Sequence, residues 1–208
     1  MQLAFVGYGE LGKQLRDFFP QGSNIEFVFF DDDLYKQKAP FSFPFVDYQE
    51  DNYKHFSCIV ALGYKNLELR QKILHNLESK GRIISGFTNP SCFINSSSVI
   101  GKGVFIYPMC NIDKEVKIGN GSLLNNNVVL CHNTEIGECC YISPGAVLSG
   151  NVTVGDNTFI GAGTLISNNI RIGRNVTIGI GSVITKDIAD NLYVIGNPMR
   201  FVKELIIK

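Results

Sequence analysis

The sequence predicts two folds in one chain: a small α/β domain over residues 1–87 and an all-β solenoid over residues 88–208. The solenoid is predicted by a six-residue repeat that runs without a break through most of the second part. The α/β domain is predicted by a glycine-rich turn between an apolar strand and a helical stretch. Composition divides in the same way, because eleven of the fifteen phenylalanines lie in residues 1–87 and thirteen of the 21 glycines lie in residues 94–189.

Charge and hydropathy argue against several classes of protein. The 19 basic residues balance 19 acidic ones, whereas a nucleic-acid partner needs a surplus of lysine and arginine. A charged fraction of 18% with 45% apolar residues argues against disorder. No apolar run approaches the roughly 20 residues that span a bilayer, and the chain starts with a strand instead of a signal peptide. We therefore expect a cytoplasmic protein that binds neither nucleic acid nor a membrane, with six free cysteines.

The first domain opens with a βαβ pattern that is typical of nucleotide binding. The apolar strand "MQLAFVG" leads into Gly7, Gly9 and Gly12 and then into a helical stretch. A second strand ends at Asp31 and Asp32, about twenty residues after the glycines. Such glycines permit a tight turn that brings a helix N-terminus to phosphates, and the carboxylates would lie near a ribose or base.

The rest of the first domain continues this alternation of strands and helices. A third predicted strand leads through Gly63 into a helix, and a fourth lies near residues 82–85. Residues 1–87 make only half of a full dinucleotide fold, so a mononucleotide or nucleotide-sugar is favoured over NAD. The alternative that the glycines only form a tight turn stays open.

The repeat in the second part has a period that predicts its geometry. Every sixth residue from Ile94 to Ile184 is Ile, Leu or Val, in sixteen consecutive positions. This period suits short strands joined by tight turns, three strands to a coil of 18 residues, with the aliphatic side chains inside. Glycine and asparagine, frequent between the aliphatic positions, tolerate the left-handed turn conformation. Stacked coils would then lie about 4.8 Å apart.

The hexads over about residues 88 to 203 resemble those of the left-handed β-helix acyltransferases. Together with "FVGYGELGK", "FFDDD" and "ALGYKNLELRQKI", they resemble bacterial N-acetyltransferases that act on UDP-, dTDP- or GDP-linked 4-amino-4,6-dideoxysugars, and related sialic acid O-acetyltransferases. The resemblance implies a Rossmann-like first domain, a left-handed parallel β-helix, acetyl-CoA as co-substrate and a role in surface-glycan precursor synthesis. It also implies a homotrimer with active sites between subunits.

His132 is the candidate catalytic residue. It is the only histidine in the hexads, which argues against a zinc site of three histidines, and we expect no metal. Gly150 follows 18 residues later and leaves room for a thioester beside the imidazole. Histidine titrates near neutral pH and is suited to accept a proton from an attacking amine. In the resembled family the histidine of the stretch "HNTEIGE" is the general base, and the Gly150 amide is the nearest candidate donor to an oxyanion.

The chain departs from the resembled family at two positions beside this histidine. Asn133 stands where many members have an acidic residue, and as a second candidate catalytic residue its amide can orient the imidazole but cannot stabilise the imidazolium as a carboxylate does. Glu135 or Glu115 is a further candidate partner of the base, unless the base works alone. Tyr141 replaces a histidine that is common in the family. The resemblance places Asn125 and Tyr141 at the sugar-nucleotide.

The resemblance also implies a groove for the pantetheine arm of CoA along the C-terminal coils. The implied cofactor-contacting residues are Gly150, Ala162, Ile180 and Arg200. Arg200 would meet a CoA phosphate, with an ordinary surface charge as the alternative. Outward apolar residues such as Val129 and Val147 are expected to associate with neighbouring subunits.

Several functions compete at this level. The favoured one is N-acetylation of a nucleotide-linked amino sugar with His132 as base. The alternatives are a sugar O-acetyltransferase of the sialic acid type, a non-catalytic nucleotide-binding scaffold trimer, and an NAD-linked enzyme. Cys131, adjacent to His132, is an alternative nucleophile. The nucleotide base, the hexose configuration and the position of the amino group are not determined by the sequence.

Overall fold

The apolar segments of the first domain form a parallel sheet. In the computed structural model, which describes residues 1–19 and 24–205, Met1–Gly86 form one compact unit. Its strands are β1 (Gln2–Val6), β2 (Glu26–Phe30), β3 (Ser42–Phe43) and β4 (Ser57–Val60), in the order β3-β2-β1-β4. Its α-helices are α1 (Glu10–Arg16), α2 (Asp32–Lys36) and α3 (Leu67–Ser79), and 3-10 turns lie at Phe45–Gln49, Asp51–Tyr53 and Tyr64–Asn66.

The phenylalanines of this unit pack on both faces of the sheet. Leu3 to Val6 of β1 are fully buried. Phe5 packs against Phe29 on one face, and Phe30 packs against Phe43 on the other. The fourth strand differs from the prediction: residues 82–85 make only an isolated bridge between Cys58 and Ile84, because the chain enters its next strand directly after Gly86.

The hexad repeat forms a parallel β-solenoid that begins at Phe87, where the second compact unit starts. Each hexad aliphatic residue is the second residue of one of the sixteen strands β6 to β21, and every strand pairs with the strand 18 residues away. The two-residue strands are β5 (Phe87–Thr88), β6 (Phe93–Ile94), β7 (Val99–Ile100), β8 (Phe105–Ile106), β9 (Asn111–Ile112), β10 (Lys117–Ile118), β11 (Leu123–Leu124), β12 (Val129–Leu130), β13 (Glu135–Ile136), β14 (Tyr141–Ile142), β15 (Val147–Leu148), β16 (Thr153–Val154), β17 (Phe159–Ile160), β18 (Leu165–Ile166), β19 (Arg171–Ile172), β20 (Thr177–Ile178) and β21 (Val183–Ile184).

Three sheets form the sides of the solenoid. A five-stranded sheet holds β7, β10, β13, β16 and β19, and a six-stranded sheet holds β6, β9, β12, β15, β18 and β21. The eight-stranded sheet holds β5, β8, β11, β14, β17 and β20, followed by β22 (Leu192–Ile195) and the antiparallel β23 (Arg200–Glu204). Because each coil contributes one strand to each side, the six-stranded sheet corresponds to about six coils.

The hexad side chains form the core of the solenoid, as the period predicts. Each hexad residue from Ile106 to Ile184 is at most 3% exposed. Asparagines such as Asn133 and Asn151 occupy turn positions with φ of 58° and 59°, the left-handed conformation that asparagine tolerates. Within residues 1–19 and 24–205, no helix combines the length and the apolar character that a membrane crossing requires.

Candidate active site

One edge of the six-stranded sheet carries the predicted catalytic histidine. His132 follows strand β12, Gly150 follows β15 and Asn168 follows β18, so the three residues occupy the same turn position in successive coils. The stack formed by His132, Gly150 and Asn168 is called the His132 corner below. Its regular spacing comes from the uninterrupted repeat, which keeps each turn above the preceding one.

The imidazole of His132 lies directly over the backbone of Gly150. A Cβ atom added at Gly150 would be only 2.5 Å from Nε2 of His132 and would also overlap Cε1. No other residue type fits at position 150 without displacing the ring. The expected juxtaposition of His132 and Gly150 is therefore present in the structure.

The three candidate partners of the histidine are placed elsewhere. Asn133 Nδ2 donates to Asn151 Oδ1 at 3.2 Å, and Glu135 Oε1 accepts from Lys117 Nζ at 2.7 Å. Glu115 is exposed, and its backbone N–H donates to Ser97 Oγ. Among the described residues, none hydrogen-bonds to the imidazole of His132. The imidazole therefore has no orienting hydrogen-bond partner in the part of the chain that the structure describes.

The Gly150 amide, the expected oxyanion donor, already has an acceptor. Its N–H donates to Oδ1 of Asn168 at 2.9 Å. An oxyanion could reach this N–H only after the Asn168 side chain had left. Sequence reasoning overlooked Asn168, although its position 18 residues after Gly150 places it in the same stack.

The cysteines of the solenoid are free thiols, of which Cys110, Cys139 and Cys140 are buried and Cys92 and Cys131 partly buried. Burial, with a further contribution from the Asp113 carboxylate, raises the pKa of Cys131, which argues against a nucleophilic role because the thiolate is the reactive form. Burial raises the pKa of Cys140 to about 12. All six cysteines are free thiols. In the part of the chain that the structure describes, no group of three or more histidine, cysteine or acidic side chains is arranged to hold a metal ion.

Four of the predicted sugar and cofactor positions lie where the eight-stranded sheet turns into the six-stranded sheet, across the six-stranded sheet from His132. There Asn125 Nδ2 donates to Tyr141 Oη at 3.1 Å, which joins the two residues that the resemblance assigns to the sugar-nucleotide. Ala162 and Ile180 are equivalent to each other in two successive later coils, in the stack that begins next to Asn125, and Ile180 is 70% exposed. The solenoid of one chain thus separates these four residues from His132 by the width of one sheet face.

The glycines of the first unit differ in what surrounds them. Gly7 has φ of +85° and donates its N–H to Phe30, so it makes the tight turn after β1. A Cβ at Gly12 would lie 3.0 Å from the carbonyl oxygen of Gly7, so Gly12 permits close packing of α1 on the turn. Gly9 and Gly63 have no atom within 4 Å of an added Cβ and face open space.

The acidic residues after β2 are used by the backbone around them. Asp31 Oδ2 accepts the Tyr8 N–H at 2.7 Å, while Oδ1 accepts the N–H groups of Asp33 and Leu34 at 3.1 Å and caps α2. Asp32 Oδ1 accepts the Phe45 N–H at 2.9 Å. Both carboxylates therefore have structural partners at the positions where a ribose or base contact was expected.

Arg200 lies in β23, at one end of the eight-stranded sheet. Every residue of β23 is exposed, including Arg200. Its guanidinium is accessible to an anion such as a phosphate. In the antiparallel pairing of β22 and β23, Arg200 lies opposite Ile195.

Part of the chain matches a protein-family model. Residues 106–205 match the model described as the GMPPB C-terminal domain. No curated protein matches the sequence. The family match covers most of the solenoid and both C-terminal strands, and leaves the first unit unassigned.

Solved structures resemble the chain over nearly its full length. The acetyltransferase domain of PglB from Neisseria gonorrhoeae is 27% identical with a TM-score of 0.83, and the match covers 97% of this chain and 99% of that one. WeeI from Acinetobacter baumannii is 26% identical with a TM-score of 0.82, covering 97% and 99%. A histidine-to-asparagine mutant of perosamine N-acetyltransferase from Caulobacter crescentus, solved with CoA and GDP-perosamine, is 23% identical with a TM-score of 0.85, covering 98% of each chain. The solenoid matches the left-handed β-helix fold of acyltransferases, and the similar structures include nucleotide-sugar N-acetyltransferases.

Proposed function

We propose that the protein is an acetyl-CoA-dependent N-acetyltransferase whose acceptor is a nucleotide-linked 4-amino-4,6-dideoxyhexose. The observation that carries the proposal is the imidazole of His132 lying over Gly150, with no structural hydrogen bond among the described residues. The full-length likeness to the PglB acetyltransferase domain, which has also been solved with acetyl-CoA, supports the reaction class. The perosamine N-acetyltransferase solved with GDP-perosamine supports the acceptor class.

The geometry of the His132 corner suits direct acyl transfer. The sugar amine attacks the thioester carbonyl carbon, its lone pair forms the C–N bond, and His132 takes the proton that the nitrogen loses. The tetrahedral intermediate then collapses with cleavage of the C–S bond, and the CoA thiolate leaves with the proton from the imidazolium. The bare backbone of Gly150 lets the thioester lie within reach of the imidazole. A cysteine nucleophile is not required, and the raised pKa of Cys131 is consistent with that.

The first unit supplies the nucleotide site as a small Rossmann-like domain. In parallel sheets ligands bind beyond the carboxyl ends of the strands, where Gly9 follows β1 and Gly63 follows β4. The open space at both glycines leaves room for a diphosphate to approach the backbone. Asp31 and Asp32 act by holding the turns that shape this site, because their carboxylates are occupied by backbone N–H groups.

A complete acyl-transfer site requires a second copy of the chain. His132 lies on one edge of the six-stranded sheet, whereas Ala162 and Ile180 lie on the other, and packing of copies side by side brings the two edges together. Five of the six outward residues in the row along that sheet are apolar, with the exposed Asn111 as the exception, and two of the five, Phe93 and Leu165, are 59% and 48% exposed. The chain assembles as a homotrimer through this row, in the cytoplasm, and its product enters surface-glycan synthesis.

The decisive experiment is release of free CoA thiol from acetyl-CoA in the presence of a panel of dTDP-, UDP- and GDP-linked 4-amino-4,6-dideoxyhexoses. Turnover with one of them, and an amide in the NMR spectrum of the product, is the expected result. Turnover with free sialic acid alone, giving an ester, would establish the O-acetyl alternative. Absence of turnover with any acceptor, together with nucleotide binding, would identify a scaffold instead.

The nucleotide site has a separate test. Thermal shifts with dTDP, UDP and GDP identify the base by the largest rise in Tm. Gly9→Val should abolish that rise and leave the Tm of the unliganded protein unchanged, since the added side chain fills open space. Gly12→Ala is the contrasting variant, because its Cβ would press on the Gly7 carbonyl oxygen and lower the Tm itself. An unchanged nucleotide shift in Gly9→Val would place the nucleotide elsewhere.

A further inference from the structure

Asn168 holds a fixed orientation at the His132 corner. The Gly150 N–H can only donate, so the Asn168 atom that faces it at 2.9 Å must be the acceptor Oδ1. The Nδ2 group then points away from Gly150. In the described residues Nδ2 donates to no other group, and Asn168 itself is exposed.

The same backbone contact recurs elsewhere in the solenoid with different side chains. Asn120 Oδ1 accepts the Lys102 N–H at 2.9 Å, and Asp156 Oδ1 accepts the Glu138 N–H at 2.8 Å. In both pairs the acceptor comes 18 residues after the donor, as in the pair of Gly150 and Asn168. Asparagine and aspartate therefore both cap this turn. The cap itself requires only the oxygen. The amide nitrogen of Asn120 donates to Glu138 Oε1 at 3.4 Å, whereas that of Asn168 has no acceptor among the described residues.

Two groups with no other described partner meet at Gly150. The imidazole of His132 lies over the position of its missing side chain, and the carboxamide of Asn168 binds its amide nitrogen. A thioester carbonyl that enters beside the imidazole finds the Gly150 N–H already occupied. A side-chain amide donor that remains available at this corner, among the described residues, is Nδ2 of Asn168. The hydrogen bond that Oδ1 accepts makes the Nδ2 group a stronger hydrogen-bond donor, since hydrogen bonds in a chain polarise one another.

We propose that Asn168 is a catalytic residue that stabilises the oxyanion through Nδ2. This inference rests on the acetyl-transfer function proposed above. When the amine lone pair forms the C–N bond, the C=O electron pair moves onto oxygen, and Nδ2–H donates to that negative oxygen. When the C–S bond breaks, the pair returns to the C=O bond and the hydrogen bond weakens. The Gly150 amide acts one step further away, by fixing the orientation of the carboxamide.

The substitution that separates this role from a structural one is Asn168→Asp. Aspartate retains the acceptor for the Gly150 N–H, as Asp156 does for Glu138, but replaces the donor with a negatively charged oxygen. Loss of one oxyanion donor typically costs about 10²–10³ in kcat. We expect Asn168→Asp and Asn168→Ala both to lower kcat by about 10²-fold or more, with the KM for the nucleotide-sugar little changed. Asn120→Ala is the matched control, since it removes the same kind of cap away from His132 and should keep kcat within about twofold.

The outcomes distinguish failure of the proposed role of Asn168 from failure of the proposed acetyltransferase function. Full kcat in Asn168→Asp would reduce Asn168 to a turn cap and overturn the inference while leaving the acetyltransferase function intact. Retained or increased kcat in Asn168→Ala would also overturn it and would identify the released Gly150 N–H as the donor. A wild-type protein that acetylates no nucleotide-linked sugar would overturn both this inference and the function on which it rests.

Discussion

The solenoid and the first unit use their candidate functional residues in opposite ways. In the solenoid, the imidazole of His132 lies over a glycine and makes no hydrogen bond within the described residues. In the first unit, Asp31 accepts three backbone N–H groups and Asp32 accepts a fourth. A polar side chain that the fold does not use is available for chemistry, whereas a carboxylate that accepts backbone N–H groups stabilises the turns around it. The contrast predicts that substitution of His132 changes the rate of acetyl transfer. Substitution of Asp31 or Asp32 should instead change the free energy of unfolding.

The largest expected effect is that of His132→Ala. General base catalysis contributes about 10²–10⁴ in rate, so kcat for CoA release should fall by that factor. The free energy of unfolding should stay nearly constant, because the imidazole makes no hydrogen bond among the described residues. His55→Ala is the control, as His55 is exposed and lies in the first unit. Full activity in His132→Ala, measured with the same acceptor, would remove the proposed base.

Gly150→Ala tests the same corner through the backbone. The new Cβ must displace the imidazole, and a misplacement of about 1 Å can cost about 10²-fold in rate. Stability should change little, since the ring of His132 can rotate outward. Gly137→Ala makes the opposite prediction: its Cβ would lie 2.7 Å from the rigid backbone nitrogen of Asp156, so the Tm should fall. Equal losses of Tm in the two variants would show that Gly150 serves packing alone.

Asp31→Ala tests whether the carboxylate in the first unit has a structural role. Loss of the α2 cap and of the Tyr8 hydrogen bond should lower the free energy of unfolding by about 2–3 kcal/mol. Urea denaturation measures this loss, and Asp33→Ala is the control, because the Asp33 carboxylate accepts no hydrogen bond in the described residues. If Asp31→Ala keeps its stability but loses nucleotide binding, the carboxylate is a ligand contact and the contrast between the two units fails.

The extent of prediction from sequence also differs between the two units. In the solenoid the chain period equals the structural period, so the inward residues and the strand pairing follow from the sequence alone. The repeat does not show which side chains cap the turns, because the caps are contacts between coils. For this reason the sequence does not predict the contact of Asn168 with Gly150. The first unit has no repeat, and its edge strand β3 is only two residues long, Ser42–Phe43, with no alternation to reveal it. The spacing of Asp31 from the glycines fits a ribose contact and a turn cap equally well, and only the hydrogen bonds distinguish the two.

The smallest expected effect belongs to Cys131. Burial and Asp113 raise its pKa, so the thiolate fraction at any pH below that value is smaller than for an ordinary thiol. Iodoacetamide at pH 8 should therefore modify Cys131 more slowly than a model thiol, and the rate should rise as the pH is increased. Cys131→Ala should keep kcat within about twofold, because the proton transfer at His132 needs no thiol. A loss of kcat comparable to that of His132→Ala, in a variant with unchanged Tm, would mean that the acyl group passes through sulfur, and the pairing of His132 with Asn168 would then serve a covalent intermediate.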